Sequence, residues 1–225
     1  MTGGFLAQAP FPDWNWLSNP RTHERLVGYT VEHIELTVLA VVIGLVIATP
    51  LAIAAAHWRW LYTPLLTVTG LLFTIPAIAL FLLIGVAYDS YLGRATALTG
   101  LAIYSLLILF RNTVAGLDSV PAEIREAGAA LGHTARQQLI RVEVPIALPV
   151  IMAGVRVATV TTIGLTTITA LIGHGGLGQL FITGFNRQNP TILLVGVAGC
   201  ALLALVADLA LVFLQGRLLP WTRRE

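Results

Sequence analysis

Lysine is absent from this sequence, and all thirteen basic side chains are arginine. The phosphate-binding loop GxxxxGK[ST] needs a lysine, so the chain does not carry the usual ATP-binding site itself. Cysteine is nearly absent too: Cys200 stands alone, which excludes an intrachain disulfide and leaves the redox compartment open. The five histidines occur singly, without a partner at metal-ligand spacing, and no serine, histidine and acid arrangement is visible. We therefore predict neither a metal site nor a catalytic role.

Charged side chains are scarce as well. Only 11% of the 225 residues are charged, 56% are hydrophobic, and the mean hydropathy is +0.83. Several apolar runs reach the roughly 20 residues that a helix needs to cross a bilayer, and the composition lies outside the range of soluble domains. The isoelectric point near 9.0 reflects a net charge of only +2, so it does not indicate a nucleic-acid partner. The sequence predicts an all-α polytopic membrane protein embedded in the lipid bilayer.

The apolar runs predict about five transmembrane helices, at residues 34–56, 63–87, 96–115, 146–172 and 191–215. Residues 33–217 form the predicted transmembrane domain, and residues 218–225 form a cytoplasmic tail. Pro50 is expected to bend the first span, which neighbouring helices would have to accommodate.

The N-terminal segment, residues 1–32, has no positive region ahead of an apolar core, so it does not resemble a cleaved signal peptide. Trp14 and Trp16 are typical of anchors at a membrane interface. We predict an external or interfacial segment in which residues 22–35 form a short surface helix; a partly ordered tail is the alternative. The first span then begins with two residues that we expect to be solvated at the outer interface, His33 and Glu35.

One long polar interval, residues 118–149, interrupts the apolar chain and holds seven of its 24 charged side chains. Its pattern predicts two short helices joined by a hinge. Thr134 and Gln137 form a capping box that starts the second helix, and Pro145 must end or bend it. A polar helix-turn-helix between membrane spans needs a partner to dock on.

The first helix of this interval is predicted at about residues 120–131. Asp118 or Ser119 can cap it, and Pro121 is tolerated in its first turn because the missing N–H would have no partner there. Gly132 suits a left-handed cap at its C-terminus.

The order of residues in the interval forms a longer pattern. Glu126, Ala127 and Gly128 are followed after three residues by Gly132, and nine residues further on by VEVP at 142–145. This pattern resembles the EAA signature of ABC importer permeases, which reads EAA, three residues, G, nine residues and I-x-L-P. The spacing matches throughout. The departures are a glycine for the second alanine and valines for isoleucine and leucine.

In that family the segment forms a coupling helix that docks on a cytoplasmic ATPase subunit. The resemblance implies that residues 118–145 couple this chain to such a partner, which would bind ATP and magnesium, with no cofactor in this chain. Small side chains at 127–130 would let a partner surface approach closely, and charged side chains at the rim would orient it. The alternative is an amphipathic cytoplasmic loop that only covers its own bundle. The predicted coupling residues are Glu123, Arg125, Glu126, Ala127, Gly128 and Gly132.

Four further stretches carry a finer resemblance, at residues 74–81, 109–113, 141–156 and 170–181. They look like the permeases that import quaternary-ammonium osmoprotectants such as glycine betaine, choline and carnitine, sometimes proline. The methionine importer permease is the nearest competitor, because it also has five spans and a similar glycine-rich segment. A membrane scaffold and a membrane-embedded enzyme are alternatives from other classes.

The resemblance also implies an assembly. It would contain two permease subunits, identical or homologous, two ATPase subunits, and an external solute-binding protein, in the plasma (inner) membrane. Aromatic cages recognise quaternary ammonium groups best, and the spans have few aromatics, so we expect most selectivity to reside in the binding protein. If the polar interval is cytoplasmic, eight arginines lie inside and four outside, which favours an external N-terminus and a cytoplasmic C-terminus.

Four residues in the spans are candidates for the transport pathway. Thr74 and Pro76 lie in the second span, in the run FTIPAIALF. Arg156 and Asp208 lie about 10 to 15 Å inside the predicted cytoplasmic ends of the last two spans. We expect these two to form an ion pair, because an unpaired charge at that depth is costly. The pair could line the pathway or be purely structural.

Four glycines in the stretch GHGGLG are candidates for a gate: Gly173, Gly175, Gly176 and Gly178. Their spacing satisfies GxGxxG, but the stretch follows an apolar helix instead of a strand, and no acid lies about 20 residues on. A dinucleotide site is therefore not predicted. We expect a flexible external loop near the mouth of the pathway, with close backbone packing where two subunits meet; a simple connector is the alternative.

Overall fold

The structure, a computed structural model, describes residues 11–89 and 93–220. Every regular element in these ranges is helical, which confirms the all-α prediction. In chain order the elements are α1 (Trp14–Leu17), α2 (Pro20–His57), α3 (Arg59–Thr74), α4 (Ala77–Ala87), α5 (Arg94–Asp118), α6 (Ala122–Ala130), α7 (Ala135–Gln138), a π-helical turn (Leu139–Glu143), α8 (Val144–Thr166), a 3-10 helix (Ile168–Ile172), α9 (Gly178–Asn186) and α10 (Pro190–Leu218).

The number of membrane spans agrees with the prediction. Within the described residues, four helical segments are long and apolar enough to cross a membrane, and a bent pair makes five if it is counted as one span. The four are α2, α5, α10 and the continuous stretch Ala135–Thr166 that contains α8. In the fourth predicted span, residues 146–172, the α-helix ends at Thr166 and the 3-10 helix follows it.

The second predicted span, residues 63–87, is wrong as a single helix. α3 ends at Thr74, and the axis of α4 is bent by 101° from that of α3. Pro76 causes the break, because a proline has no N–H to donate and disfavours helical geometry at the preceding residue, Ile75. Thr74 reinforces it by donating from its hydroxyl to the carbonyl of Leu71 at 2.7 Å.

Helix α2 is longer than the predicted first span. It runs unbroken for 38 residues, so the separate surface helix expected at residues 22–35 is wrong. That stretch contains no proline and a single glycine, so nothing in it ends a helix. A helix of this length measures about 57 Å, against about 30 Å of hydrocarbon, and must project beyond the bilayer core. The outermost parts of the predicted terminal segments, residues 1–10 and 221–225, lie outside the described residues.

Contacts divide the chain into two units. Unit 1 comprises Met1–Ala40, Ile75–Leu101 and Val160–Ala207, and unit 2 comprises Val41–Thr74, Ala102–Thr159 and Asp208–Glu225.

The core of unit 1 has two apolar clusters. One contains Leu36, Phe81 and Leu101, and the other contains Leu177 and Ile192. The described part of the N-terminal segment is tied to this unit through Asp13, whose carboxylate accepts hydrogen bonds from the Trp16 N–H at 3.0 Å and the Asn189 side-chain amide at 2.7 Å. This anchoring argues against a partly ordered tail from residue 11 onward.

The core of unit 2 is built on small residues. Ala48, Ala52 and Ala55 lie on one face of α2 and are fully buried against a cluster that includes Phe110 and Ala158. Small side chains allow membrane helices to approach closely, and van der Waals packing then holds them together.

Candidate functional site

The predicted coupling segment lies within unit 2 and begins with α6. Pro121 is the N-cap residue and makes no side-chain capping bond, so the expected caps Asp118 and Ser119 are wrong. Asp118 instead accepts two hydrogen bonds from Arg59 at 2.9 and 3.1 Å. The Ser119 hydroxyl donates to the carbonyl of Gly116 at 2.7 Å. Asp118 therefore links the end of α5 to the start of α3, whereas the Ser119 bond stays within the last turn of α5.

The predicted cap at the C-terminus of α6 is confirmed. Gly132 has φ +79°, and its N–H donates to the Ala129 carbonyl at 2.9 Å. The His133 N–H donates to the Gly128 carbonyl at 3.3 Å. These two bonds form a Schellman motif, which satisfies carbonyls that the helix itself leaves open.

The second helix also starts as predicted. The Thr134 hydroxyl accepts from the Gln137 N–H at 3.3 Å, and the Gln137 side chain accepts from the Thr134 N–H at 2.9 Å, which completes the capping box. Pro145 does not end the helix, and a π-helical turn, Leu139–Glu143, lies just before it. Pro145 has no N–H for the carbonyl of Arg141 and its ring crowds that carbonyl, so a wider turn relieves the conflict without ending the helix.

Two side chains hold α6 in place. The Nη2 of Arg125 donates to the Leu117 carbonyl at 2.6 Å, and its Nε lies 3.7 Å from Oε1 of Glu143. Gln138 crosses Gly128 and donates from Nε2 to the Arg125 carbonyl at 3.3 Å. A Cβ on Gly128 would come within 3.0 Å of the Gln138 Cδ. Arg125 and Gly128 therefore make contacts inside the chain. The sequence analysis did not distinguish these two residues from the predicted coupling residues that face outward.

The other face of α6 is open. Glu123, Glu126 and Ala127 are exposed, and so is Gly132 at the end of the helix. Three large apolar side chains in the same segment are also exposed, namely Ile124 at 40%, Ile140 at 54% and Leu131 at 78%. Small, charged and apolar side chains side by side are typical of a surface that receives another protein.

The pathway candidates in the second span lie at its break. Thr74 is the last residue of α3, Pro76 is the N-cap residue of α4, and both are exposed. Breaks of this kind occur in transporters near the substrate pathway, because their backbone groups are satisfied only in a cavity or by neighbouring helices.

The predicted ion pair between Arg156 and Asp208 is confirmed. The Nε of Arg156 lies 2.8 Å from Oδ1 of Asp208 and its Nη2 lies 2.9 Å from Oδ2. The side chains are 34% and 30% exposed. This two-point geometry is the strongest that arginine and a carboxylate form, and it joins α8 to α10 within unit 2.

The glycine-rich stretch in unit 1 differs from the predicted flexible loop. Gly173 and Gly176 have positive φ, at +87° and +50°. Gly178 begins α9, where the sequence analysis expected a loop and no helix. Gly175, Gly176 and Gly178 are buried. A Cβ on Gly178 would come within 2.7 Å of the Cα of Thr167. The close backbone packing that we expected between two subunits therefore occurs within one chain.

The contacts between this stretch and α2 were not predicted. The Nδ1 of His174 lies 3.3 Å from Oε1 of Glu32. His33 is fully buried, with Nε2 3.0 Å from the Ile163 carbonyl, so the expected interfacial solvation of His33 is wrong. Glu35 is 52% exposed, as expected. No local pattern could have indicated the first pair, because its partners are 142 residues apart.

Apolar spanning helices, one broken span and an exposed polar helix between spans define an integral membrane transport protein. Residues 40–224 match the family described as the binding-protein-dependent transport system inner membrane component, and the chain belongs to that family. The chain is 42% identical to the osmoprotectant import permease protein OsmW of Salmonella typhimurium, over 87% of this chain and 92% of that protein. It is 37% identical to the glycine betaine/carnitine/choline transport system permease protein OpuCD of Bacillus subtilis, over 88% of each.

Solved structures share the fold. The MetNI methionine ABC transporter in an inward-facing conformation matches with a TM-score of 0.78 at 21% identity, over 89% of this chain and 99% of that chain. An amino acid ABC transporter solved with histidines matches with a TM-score of 0.75 at 19% identity, over 90% and 98% of the two chains. The family match and the relatives confirm the resemblance to ABC importer permeases, and these structures show that the fold is shared.

Proposed function

We propose that this chain is the permease subunit of an ATP-driven importer for quaternary-ammonium osmoprotectants, namely glycine betaine, choline and carnitine, with proline as a further candidate. The observation that carries the proposal is the 42% identity, over nearly the whole length of both chains, to a permease named for osmoprotectant import. A choline transport permease of Bacillus subtilis is 39% identical over 86% of this chain. The methionine transporter, at 21% identity, supports the fold and does not favour methionine as the substrate.

The working assembly contains two permease subunits, identical or homologous, and two ATPase subunits on the cytoplasmic side. ATP and magnesium bind in the ATPase, and an external binding protein delivers the substrate. The chain lies in the plasma membrane with its N-terminus outside and its C-terminus in the cytoplasm. The arginine count and the exposed outer face of α6 support this arrangement.

The coupling residues divide into two roles. Glu123, Glu126 and Ala127 face outward and contact the ATPase. Arg125 faces the rest of the chain. It donates a hydrogen bond to the Leu117 carbonyl at the end of α5 and pairs with Glu143, just before α8. When closure of the ATPase pair moves α6, these bonds pass the displacement to two spanning helices. The pathway then changes from inward-open to outward-open.

The pathway residues have distinct tasks in this scheme. Thr74 and Pro76 give the second span a joint near the substrate. The glycine stretch, Gly173 to Gly178, forms the packed base of an external gate. The Arg156–Asp208 pair sets the spacing of α8 and α10, and its partial exposure leaves one edge toward the pathway.

Substrate uptake tests the proposal directly. The chain is expressed together with a candidate ATPase and a candidate binding protein, in a strain without its own osmoprotectant uptake. Labelled glycine betaine, choline, carnitine, proline and methionine are then compared. We expect ATP-dependent uptake of quaternary ammonium compounds and none of methionine; methionine uptake alone would overturn the assignment.

The coupling role is tested by Glu126→Arg. The substituted side chain is exposed on α6, so the protein should fold and insert normally while the ATPase no longer co-purifies. Glu24→Arg, a matched reversal at an exposed position of α2, should retain the ATPase. If both variants retain the ATPase, α6 is not part of the interface with it.

Orientation is tested with Glu126→Cys in a Cys200→Ala background. An impermeant maleimide should label this cysteine only after the membrane is permeabilised. Labelling in intact cells would contradict a cytoplasmic α6.

The ion pair is tested by exchange. Arg156→Asp and Asp208→Arg should each lower thermal stability and uptake, because each places two like charges together. The double exchange should recover stability; recovery of uptake as well would indicate a structural spacer, and its absence would indicate that the guanidinium itself faces the pathway.

A further inference from the structure

Two arginines lie within helices long enough to span the membrane, and their surroundings differ. Arg156 has the carboxylate of Asp208 at 2.8 Å. Arg111 lies in α5, seven residues before its end, which places it about 10 Å along the helix. It is exposed, and among the described residues no carboxylate lies within 4.0 Å of it. A charge at such a depth needs water, a counter-ion or a ligand, so arginines of this kind mark substrate pathways.

A cavity of about 430 Å³ adjoins Arg111 within unit 2. Pockets for small molecules measure about 300 to 1,000 Å³ and combine apolar walls with a few polar groups. This one has that composition, with an aromatic ring, apolar side chains, an amide and a guanidinium. Its lining residues are Phe73, Leu107, Ile108, Arg111, Asn112 and Ala115.

The walls of this cavity are held by packing. Phe73 meets Tyr104 edge to face, with ring centroids 5.5 Å apart and an interplanar angle of 74°. The Asn112 side chain donates to the Ile108 carbonyl at 2.8 Å. A Cβ on Gly154 would come within 2.8 Å of the Asn112 Cγ, so α8 lies directly against this amide. Fixed walls reduce the entropy lost when a ligand binds.

We propose that this cavity is a substrate site inside the permease and that Arg111 recognises the carboxylate of zwitterionic substrates, such as glycine betaine and carnitine. This inference rests on the proposed function. A guanidinium pairs with a carboxylate through two parallel hydrogen bonds. A quaternary ammonium has no N–H to donate and is bound by aromatic and apolar surface, which Phe73 and Leu107 supply. Choline has the ammonium but no carboxylate, so Arg111 repels it.

Arg111 is therefore a specificity residue that acts after the binding protein. The test is Arg111→Gln in the complete transporter, with uptake of glycine betaine, carnitine and choline measured in parallel. The binding protein is the same in both strains, so a change in the ratio of uptakes arises in the permease. We expect uptake of glycine betaine and carnitine to fall about tenfold, as the loss of a charge-assisted hydrogen bond predicts, while choline uptake stays unchanged or rises.

The control is Arg217→Gln. Arg217 is exposed near the end of α10 and stacks on Phe213, with its guanidinium 4.9 Å from the ring centroid. Its replacement should leave the ratio of uptakes unchanged.

A second measurement detects ligand binding in the cavity independently of uptake. Ala115, an exposed residue of the cavity wall, is replaced by cysteine in a Cys200→Ala background and labelled with a maleimide in the assembled transporter. Glycine betaine should slow labelling, choline should not, and Arg111→Gln should abolish the protection.

Each outcome decides the matter. Equal loss of all three substrates would overturn the proposal in favour of a structural role or of a lipid phosphate as the partner of Arg111. An unchanged ratio, or labelling that glycine betaine does not slow, would overturn it too. If the wild-type transporter carries no quaternary ammonium compound, the proposed function fails first, and that result is distinct from any effect of the variant.

Discussion

The glycine-rich stretch of unit 1 and the coupling segment of unit 2 both contain glycines but use them for different purposes. In the first, a Cβ on Gly175 would come within 2.5 Å of the Cα of Ala170, which is backbone. In the second, a Cβ on Gly128 would meet only the end of the Gln138 side chain, and one on Gly132 would meet nothing within 4 Å. Backbone cannot move aside without disturbing its own hydrogen bonds, whereas a side chain can change rotamer.

The difference separates a packed element from a contact surface. The glycine-rich stretch contains buried Leu177, which belongs to a core cluster with Leu180, so a substitution in the stretch should change stability. The coupling segment keeps its glycines at a hinge and under one flexible side chain, so its substitution should mainly change what binds to it. One substitution, glycine to alanine, can therefore test the comparison at three positions.

The largest effect is expected for Gly175→Ala. The added methyl group overlaps the Ala170 backbone, and overpacking of this kind typically costs about 1 to 3 kcal/mol. Thermal unfolding of the purified protein in detergent should show a clear fall in Tm. Gly164→Ala is the matched control, because it lies in α8 and its Cβ meets nothing within 4 Å. Equal Tm values for the two variants would contradict the packing argument.

A smaller effect is expected for Gly132→Ala. Its Cβ has room, but the residue has φ +79°, and the left-handed conformation costs an L-residue about 1 to 2 kcal/mol. The end of α6 should fray, with a modest fall in Tm and weaker co-purification of the ATPase. Gly132→Asn should recover most of the loss, because asparagine tolerates this conformation. A variant with asparagine that behaves like the alanine variant would point to contact with the partner instead of backbone conformation.

The smallest effect is expected for Gly128→Ala. Alanine favours a helix over glycine by up to about 1 kcal/mol, which offsets the displacement of Gln138, so Tm should hardly change. Alanine is also the residue that the EAA signature has at this position. In a Gln138→Ala background nothing has to be displaced, so the same substitution should raise Tm slightly. A fall in Tm as large as that of Gly175→Ala would show that Gln138 is as rigid as backbone. It would contradict the difference between the two regions.

Local features were predictable because their causes lie within a few residues. The capping box at Thr134 and Gln137 and the left-handed cap at Gly132 each depend on hydrogen bonds that span three to five residues. Predictions failed where a side chain had two possible partners. Asp118 could cap α6 or pair with Arg59, and only the position of Arg59 decides between them.

The sequence by itself determined the all-α membrane class, the polar helix α6 with its C-terminal cap, and the family, because composition, period and motif spacing are properties of the chain in order. It also predicted the pairing of Arg156 with Asp208, since two opposite charges at similar depth have few other ways to reduce the cost of burial. The tertiary structure alone decided the pairing of Asp118 with Arg59, the contact of His174 with Glu32, and the burial of His33 against the Ile163 carbonyl. These depend on which distant atoms meet, and a contact between residues far apart in the chain leaves no local pattern.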